Sequence, residues 1–162
     1  AMSMSVGNMY NYFSSKEELA KFAIKYSTNI LAVELKEINN MDITSKEKIY
    51  LFVDKYLENV QKSPEVIEYF LRVYLSNREV FKQGCEGFLC VGEFVTEVMI
   101  LLDVGAQKKE FREQDFFPAF GMLMGCLGGF AFLSGENVLD KDLLSYSDAV
   151  ADNIFRALKY DE

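Results

Sequence analysis

Met4-Ser-Val-Gly-Asn-Met-Tyr-Asn-Tyr-Phe-Ser-Ser-Lys-Glu-Glu-Leu19 runs into a helix start. Ser15-Lys-Glu-Glu18 has the spacing of a capping box, in which the serine hydroxyl accepts from an orphan backbone N–H and Glu18 reaches back. Leu19, Phe22, Ala23, Tyr26 and Ile30 then repeat at i, i+3, i+4 and i+7, while Lys16, Glu17, Glu18, Lys21 and Lys25 stay off that stripe. The pattern predicts a long amphipathic helix that fades near Asn39-Asn40.

Outward from this stretch, helix follows helix. Thr44-Ser-Lys-Glu47 is a second capping box; it predicts a helix to about Gln61 with Ile49, Phe52, Val53, Tyr56 and Val60 inside. Ser63-Pro64 is a cap followed by proline in the first turn, where a missing N–H costs nothing, and it predicts a helix to about Leu75. From Phe88 onward, Phe88, Val91, Val95 and Met99 form an apolar face opposite Glu86, Glu93 and Glu97, which read as solvated, and Gly105 is a natural terminator. A polar link, 106–114, leads to the uncharged run Phe116 to Leu133, read as a buried helix rather than a membrane span because Pro118 and four glycines interrupt it. The last helix is predicted from about Asp140 to Tyr160, with Leu143, Val150, Ile154, Ala157 and Leu158 as its buried stripe. No strand pattern appears, and the fold class is all-α.

Composition narrows the function. A chain of 162 residues fits one domain and buries roughly 70% of its unfolded surface without staples. With no His, the Ser-His-Asp, Cys-His and His-containing zinc arrangements cannot be built. Phosphate-binding glycine motifs are absent, and the paired glutamates sit on exposed faces where burial cannot tune them. The expectation is a non-enzyme with no metal and no cofactor. Cys85, Cys90 and Cys126, an odd count without a CxxC, read as reduced thiols of a cytoplasmic protein. No secretory signal pattern opens the sequence. Residues 1–25 hold three lysines against two glutamates, so the remainder carries −9 of a total of −8. A body that acidic repels nucleic acid, and any such contact belongs near the N-terminus.

The N-terminal stretch resembles the recognition helix and following helix of TetR-family transcriptional regulators. Ser5, Gly7, Tyr10, Tyr12, Phe13, Ser15, Lys16, Glu17 and Leu19 match the family signature, with Met9 in its aliphatic slot. The resemblance implies a helix-turn-helix remnant over 1–25, including the start of the connecting helix, and a helical ligand-binding and dimerisation domain over 26–162. It implies DNA contacts in the segment containing Ser5, Val6, Gly7, Asn8, Tyr10 and Asn11, with Lys16 beyond it. The residues suit that role: Ser5 caps, Gly7 permits close approach, and Asn8 and Asn11 can face adenine edges. Tyr10 can touch the backbone, and Lys16 stands at a helix start suited to phosphate. The signature normally follows two further helices, so the chain reads as an N-terminally truncated regulator. As given, it is expected to bind no operator until those helices are restored.

Gly121, Gly125 and Gly129, with Gly128 beside them, permit close backbone approach, and with Leu143, Val150, Ile154 and Leu158 they predict a homodimer through a four-helix bundle. The apolar groups Phe52, Tyr56, Phe70 and Tyr74, together with Phe88, Met99, Phe120 and Met124, read either as a tightly packed core or as a pocket for an uncharged or weakly polar lipophilic or aromatic small molecule. The expected function is a DNA-binding regulator, a repressor released by that ligand. The alternative is a helical small-molecule carrier or protein-interaction module without DNA binding.

Overall fold

The computed structural model describes residues 12–64 and 92–160. They form five α-helices and one 3₁₀ turn: α1 (Lys16–Asn39), α2 (Ser45–Lys62), α3 (Gly92–Gln107), α4 (Phe116–Gly135), the turn Leu143–Tyr146, and α5 (Ser147–Leu158). The helix expected after Ser63-Pro64 and the stretch 88–91 lie outside the described residues.

Side-chain caps start α1, α2, α4 and the 3₁₀ turn, whereas α5 follows the turn without one. Ser15 Oγ accepts from Glu18 N at 3.1 Å, but the Glu18 carboxylate reaches one residue further out than the capping box requires, to the N–H and hydroxyl of Ser14, both at 2.7 Å. The Thr44 box is complete. Asp115 and Asp142 cap α4 and the 3₁₀ turn through their carboxylates.

The core lies where α1 packs on α3 and α2 packs on α5. In α2 the predicted face is the observed one: Ile49, Phe52, Val53, Tyr56 and Val60 are all buried, with Leu57 beside them. In α1 the inner face is rotated from the predicted stripe and displaced along the helix. Ile24, Leu31, Ala32, Leu35 and Ile38 are buried, whereas Phe22 and Tyr26 are more than half exposed. Ser27 and Thr28 are buried with them, and their hydroxyls donate to the carbonyls of Ala23 and Ile24 one turn back.

Three further expectations are corrected. Gly105 does not end α3, which continues to Gln107; Lys109, at φ 58°, turns the chain instead. Phe111 folds back against Gly105, its N–H donating to the Gly105 carbonyl at 3.0 Å. The last helix begins at Ser147, and Leu143 belongs to the preceding 3₁₀ turn. The apolar run is a helix, but α4 buries only Ala119, Leu123 and Leu127, leaving Phe117 and Phe132 exposed. By length and composition α4 is also able to cross a membrane.

An antiparallel bridge ties the α3–α4 loop to the residues after α5. Arg112 N donates to Leu158 O at 2.9 Å, and Tyr160 N donates to Glu110 O at 3.0 Å. The Glu110 carboxylate in turn accepts from the Ser45 N–H at the start of α2, where an orphan helix donor needs a partner.

Candidate functional site

The interior between α2, α3 and α4 is an aromatic column. Phe52 and Phe94 lie with ring centroids 6.0 Å apart, Phe94 and Phe120 6.5 Å, and Phe120 and Phe116 5.4 Å, within the range of favourable tilted contacts. Periodicity finds Phe52 and Phe120 but misses Phe94, because it centres the inner face on Val95. Both residues are buried.

Tyr56 adds a hydroxyl to this apolar core. Its side chain is 2% exposed, and burial alone pushes its phenol far above the ordinary range, so it stays a neutral donor. Met124 and Phe120 are half-buried against the same core. Met99 is not part of it: 49% exposed, it lines an open cleft of about 590 Å³ with Ile100, Leu102, Arg112 and Phe116. Phe70, Tyr74 and Phe88 lie outside the described residues. A second open cleft, about 600 Å³, lies at the far ends of α2 and α4 between Val60, Gln61, Phe132, Leu139 and Asp142.

Of the residues expected at DNA, Ser5, Val6, Gly7, Asn8, Tyr10 and Asn11 lie outside the described residues, and Lys16 is the first residue of α1. The residues expected at a dimer contact divide in two. Gly121, Gly125 and Gly129 share an exposed face of α4 where a Cβ would meet nothing within 4 Å, and Gly128 is partly covered. Leu143, Val150, Ile154 and Leu158 are turned into the protomer's own core, at most 6% exposed. Their packing against α2 consumes the stripe expected to meet a partner.

Sequence reasoning also misses a polar group at the end of α1. Asn39 Nδ2 donates to both the carbonyl and the carboxylate of Glu97 on α3, each at 2.9 Å, so Glu97 is partly buried rather than solvated. Lys48 Nζ from α2 donates to the Asn39 carbonyl at 2.7 Å. Lys48 is 5% exposed; burial first, and then Lys108, pushes its ammonium below the ordinary lysine range, against the opposing pull of Glu110 and Asp42. The one sequence signal is that the apolar pattern of α1 stops at Asn39.

No family model matches the chain, and no curated protein matches it by sequence. Solved structures do match its shape. The transcriptional regulator FadR of Bacillus subtilis, determined in complex with stearoyl-CoA, superposes with a TM-score of 0.76 at 20% identity, over 94% of this chain and 81% of its own. The TetR-family transcriptional regulator PfmR of Thermus thermophilus gives 0.74 at 17% identity, over 96% and 83%. The fatty acid degradation regulator FadR of Bacillus halodurans gives 0.69 at 18%, over 98% and 81%. A chain whose described elements are all helical and that superposes along nearly its whole length on these regulators has the fold of the TetR-family transcriptional regulators.

Proposed function

We propose that this chain is the ligand-binding and dimerisation body of a DNA-binding transcriptional regulator, a repressor released from its operator by a lipophilic small molecule. The observation that carries the reading is the superposition on transcriptional regulators over 94–98% of the chain. The signature at residues 5–19 supports it independently. In this reading Asn8 and Asn11 read bases, Ser5, Val6, Gly7 and Tyr10 seat their helix, and Lys16 binds phosphate.

In this reading the ligand lies against Phe52, Tyr56, Phe120 and Met124 and enters by parting rings that pack on one another through Phe94, since the two open clefts are lined by other side chains. Apolar walls with a buried phenol suit an acyl or aromatic body carrying a neutral acceptor. Stearoyl-CoA, bound by the Bacillus subtilis protein, is therefore the first probe. Two copies associate through the exposed glycine face of α4. Ligand binding shifts the population toward a head spacing that does not fit the operator.

Two measurements test the proposal. The complete reading frame, offered a random duplex library, is expected to enrich a palindrome. Asn11→Ala should then reduce discrimination between sites, whereas Lys16→Ala weakens all sites alike and lowers the salt slope by about one unit. Stearoyl-CoA at 100 times its dissociation constant should stabilise the chain by about 2.7 kcal/mol, and free CoA should not. Failure to enrich any sequence ends the DNA reading, and stabilisation by free CoA alone ends the lipophilic-pocket reading.

A further inference from the structure

Asn39 is the last residue of α1, where backbone carbonyls ordinarily turn to water. Instead three helices meet on this one residue. Its carboxamide nitrogen donates twice to Glu97 of α3, to the main chain and to the side chain, and its carbonyl accepts the buried Lys48 ammonium of α2. Its remaining polar atom, Oδ1, is buried and without a hydrogen-bond partner among the described residues. An orphaned acceptor at such a place is unusual, since buried polar groups are nearly always paired.

We propose that Asn39 is a positioning residue, the joint that makes the end of α1 and the middle of α3 move as one body. Apolar contacts between the two helices, Leu35 and Ile38 on one side and Phe94, Val98 and Leu101 on the other, are non-directional and tolerate sliding. A carboxamide bonded to both the carbonyl and the carboxylate of one residue does not. It fixes the register of α1 against α3, so a displacement of α3 at Glu97 draws the end of α1 with it. Phe94, one turn from Glu97, faces the aromatic column, and α1 leads back toward residues 5–11. The use of the joint, to carry movement from the ligand side to the DNA side, rests on the regulator reading; its existence does not.

Hydrogen exchange on the chain itself, without ligand or DNA, tests it. Asn39→Ala is expected to speed exchange in residues 31–39 and 94–101 together, roughly tenfold in each, because one bonded unit opens. Glu97→Ala, which keeps the main-chain bond, should give a smaller effect in the same two segments. The double variant should exchange no faster than Asn39→Ala alone. Asn59→Ala removes the bond to Glu34 that links α2 to α1, and it should leave 94–101 unchanged. An Asn39→Ala effect confined to the last turn of α1, or additive effects in the double variant, overturns the proposal. If Asn39→Ala does not fold, Glu97→Ala decides: acceleration in both segments supports the joint, and acceleration in α3 alone overturns it. Because no ligand is used, loss of the joint leaves the regulator reading standing, and the converse holds.

Discussion

A Cβ on Gly105 would stand 2.1 Å from Phe111 Cδ2 and 2.6 Å from Cε2, so the obstacle is the side of the ring rather than a flexible tip. The ring has nowhere to go: Phe111 is 1% exposed, packs on Phe155 at 6.4 Å and is held by the bridge to Lys159. Alanine is the better helix former by about 1 kcal/mol, but overpacking costs about 1–3 kcal/mol, and here the clash should win. Gly105→Ala is expected to lower the urea midpoint, and unchanged stability would show that the ring can move. Glu34 gives a prediction with a pH sign. Burial raises its carboxyl pKa, against the lowering effect of the Asn59 hydrogen bond. A folded-state pKa above the unfolded value gives stability that is present below the unfolded pKa and lost as pH rises through the folded one. Glu34→Gln keeps an acceptor for Asn59, so it should match or exceed the wild type at neutral pH, with the difference shrinking as pH falls through the carboxylate range. Glu58 has the opposite sign, because the Lys62 hydrogen bond above all lowers its pKa. Glu58→Gln should lose stability at neutral pH and converge with the wild type in acid. Urea midpoints across pH decide both cases, and parallel behaviour of the two variants would refute the assignment.

At the scale of elements, α2 is where sequence and structure agree best, and its start explains why. Thr44 Oγ1 accepts from Glu47 N while Glu47 accepts from the Thr44 N–H at 2.8 Å, so two orphan donors are satisfied locally. Thr44→Ala should cost about 1 kcal/mol in thermal or urea unfolding, and a neutral result would mean that Glu110, which also reaches this end, suffices alone. The inner face of α2 is legible because polar residues interrupt it regularly. That of α3 is not: Phe94, Val95, Val98, Met99, Ile100, Leu101 and Leu102 leave almost no polar side to fix the rotation, and Met99 falls on the outside. Glu97 reads as solvated because its partner, Asn39, lies 58 residues away, beyond any helical period. The displacement in α1 has a similar origin, since Phe22 and Tyr26 satisfy the helical spacing as well as the residues that are actually buried. In α5 the structure keeps Val150, Ile154 and Leu158 of the expected stripe, adds Ala151 and leaves Ala157 only half-buried, but an apolar stripe does not say whether it meets its own core or a partner.

For the whole molecule, that last ambiguity concentrates the dimer question on α4. With the α5 stripe buried inside the protomer, one exposed apolar face open to a second copy runs along Phe117, Gly121, Gly125, Gly129 and Phe132, which recur on one side of the helix. Four glycines in the interior of one helix weaken it, by about 0.5–1 kcal/mol each relative to alanine. A helix that keeps three of them on an open face gains nothing from those three within the protomer, since no neighbour among the described residues comes within 4 Å of a Cβ at Gly121, Gly125 or Gly129. Close approach of a partner backbone supplies the reason. This makes Gly125→Leu an unusually clean test, because it should strengthen the protomer's helix while filling the space a partner needs. The wild type is expected to scatter light as a dimer at micromolar concentration. The variant is expected to be monomeric or to aggregate, with α-helical content in circular dichroism at least equal to that of the wild type. A variant that remains a dimer places the contact on another face of the molecule, and a wild-type monomer removes the dimer from the proposed function.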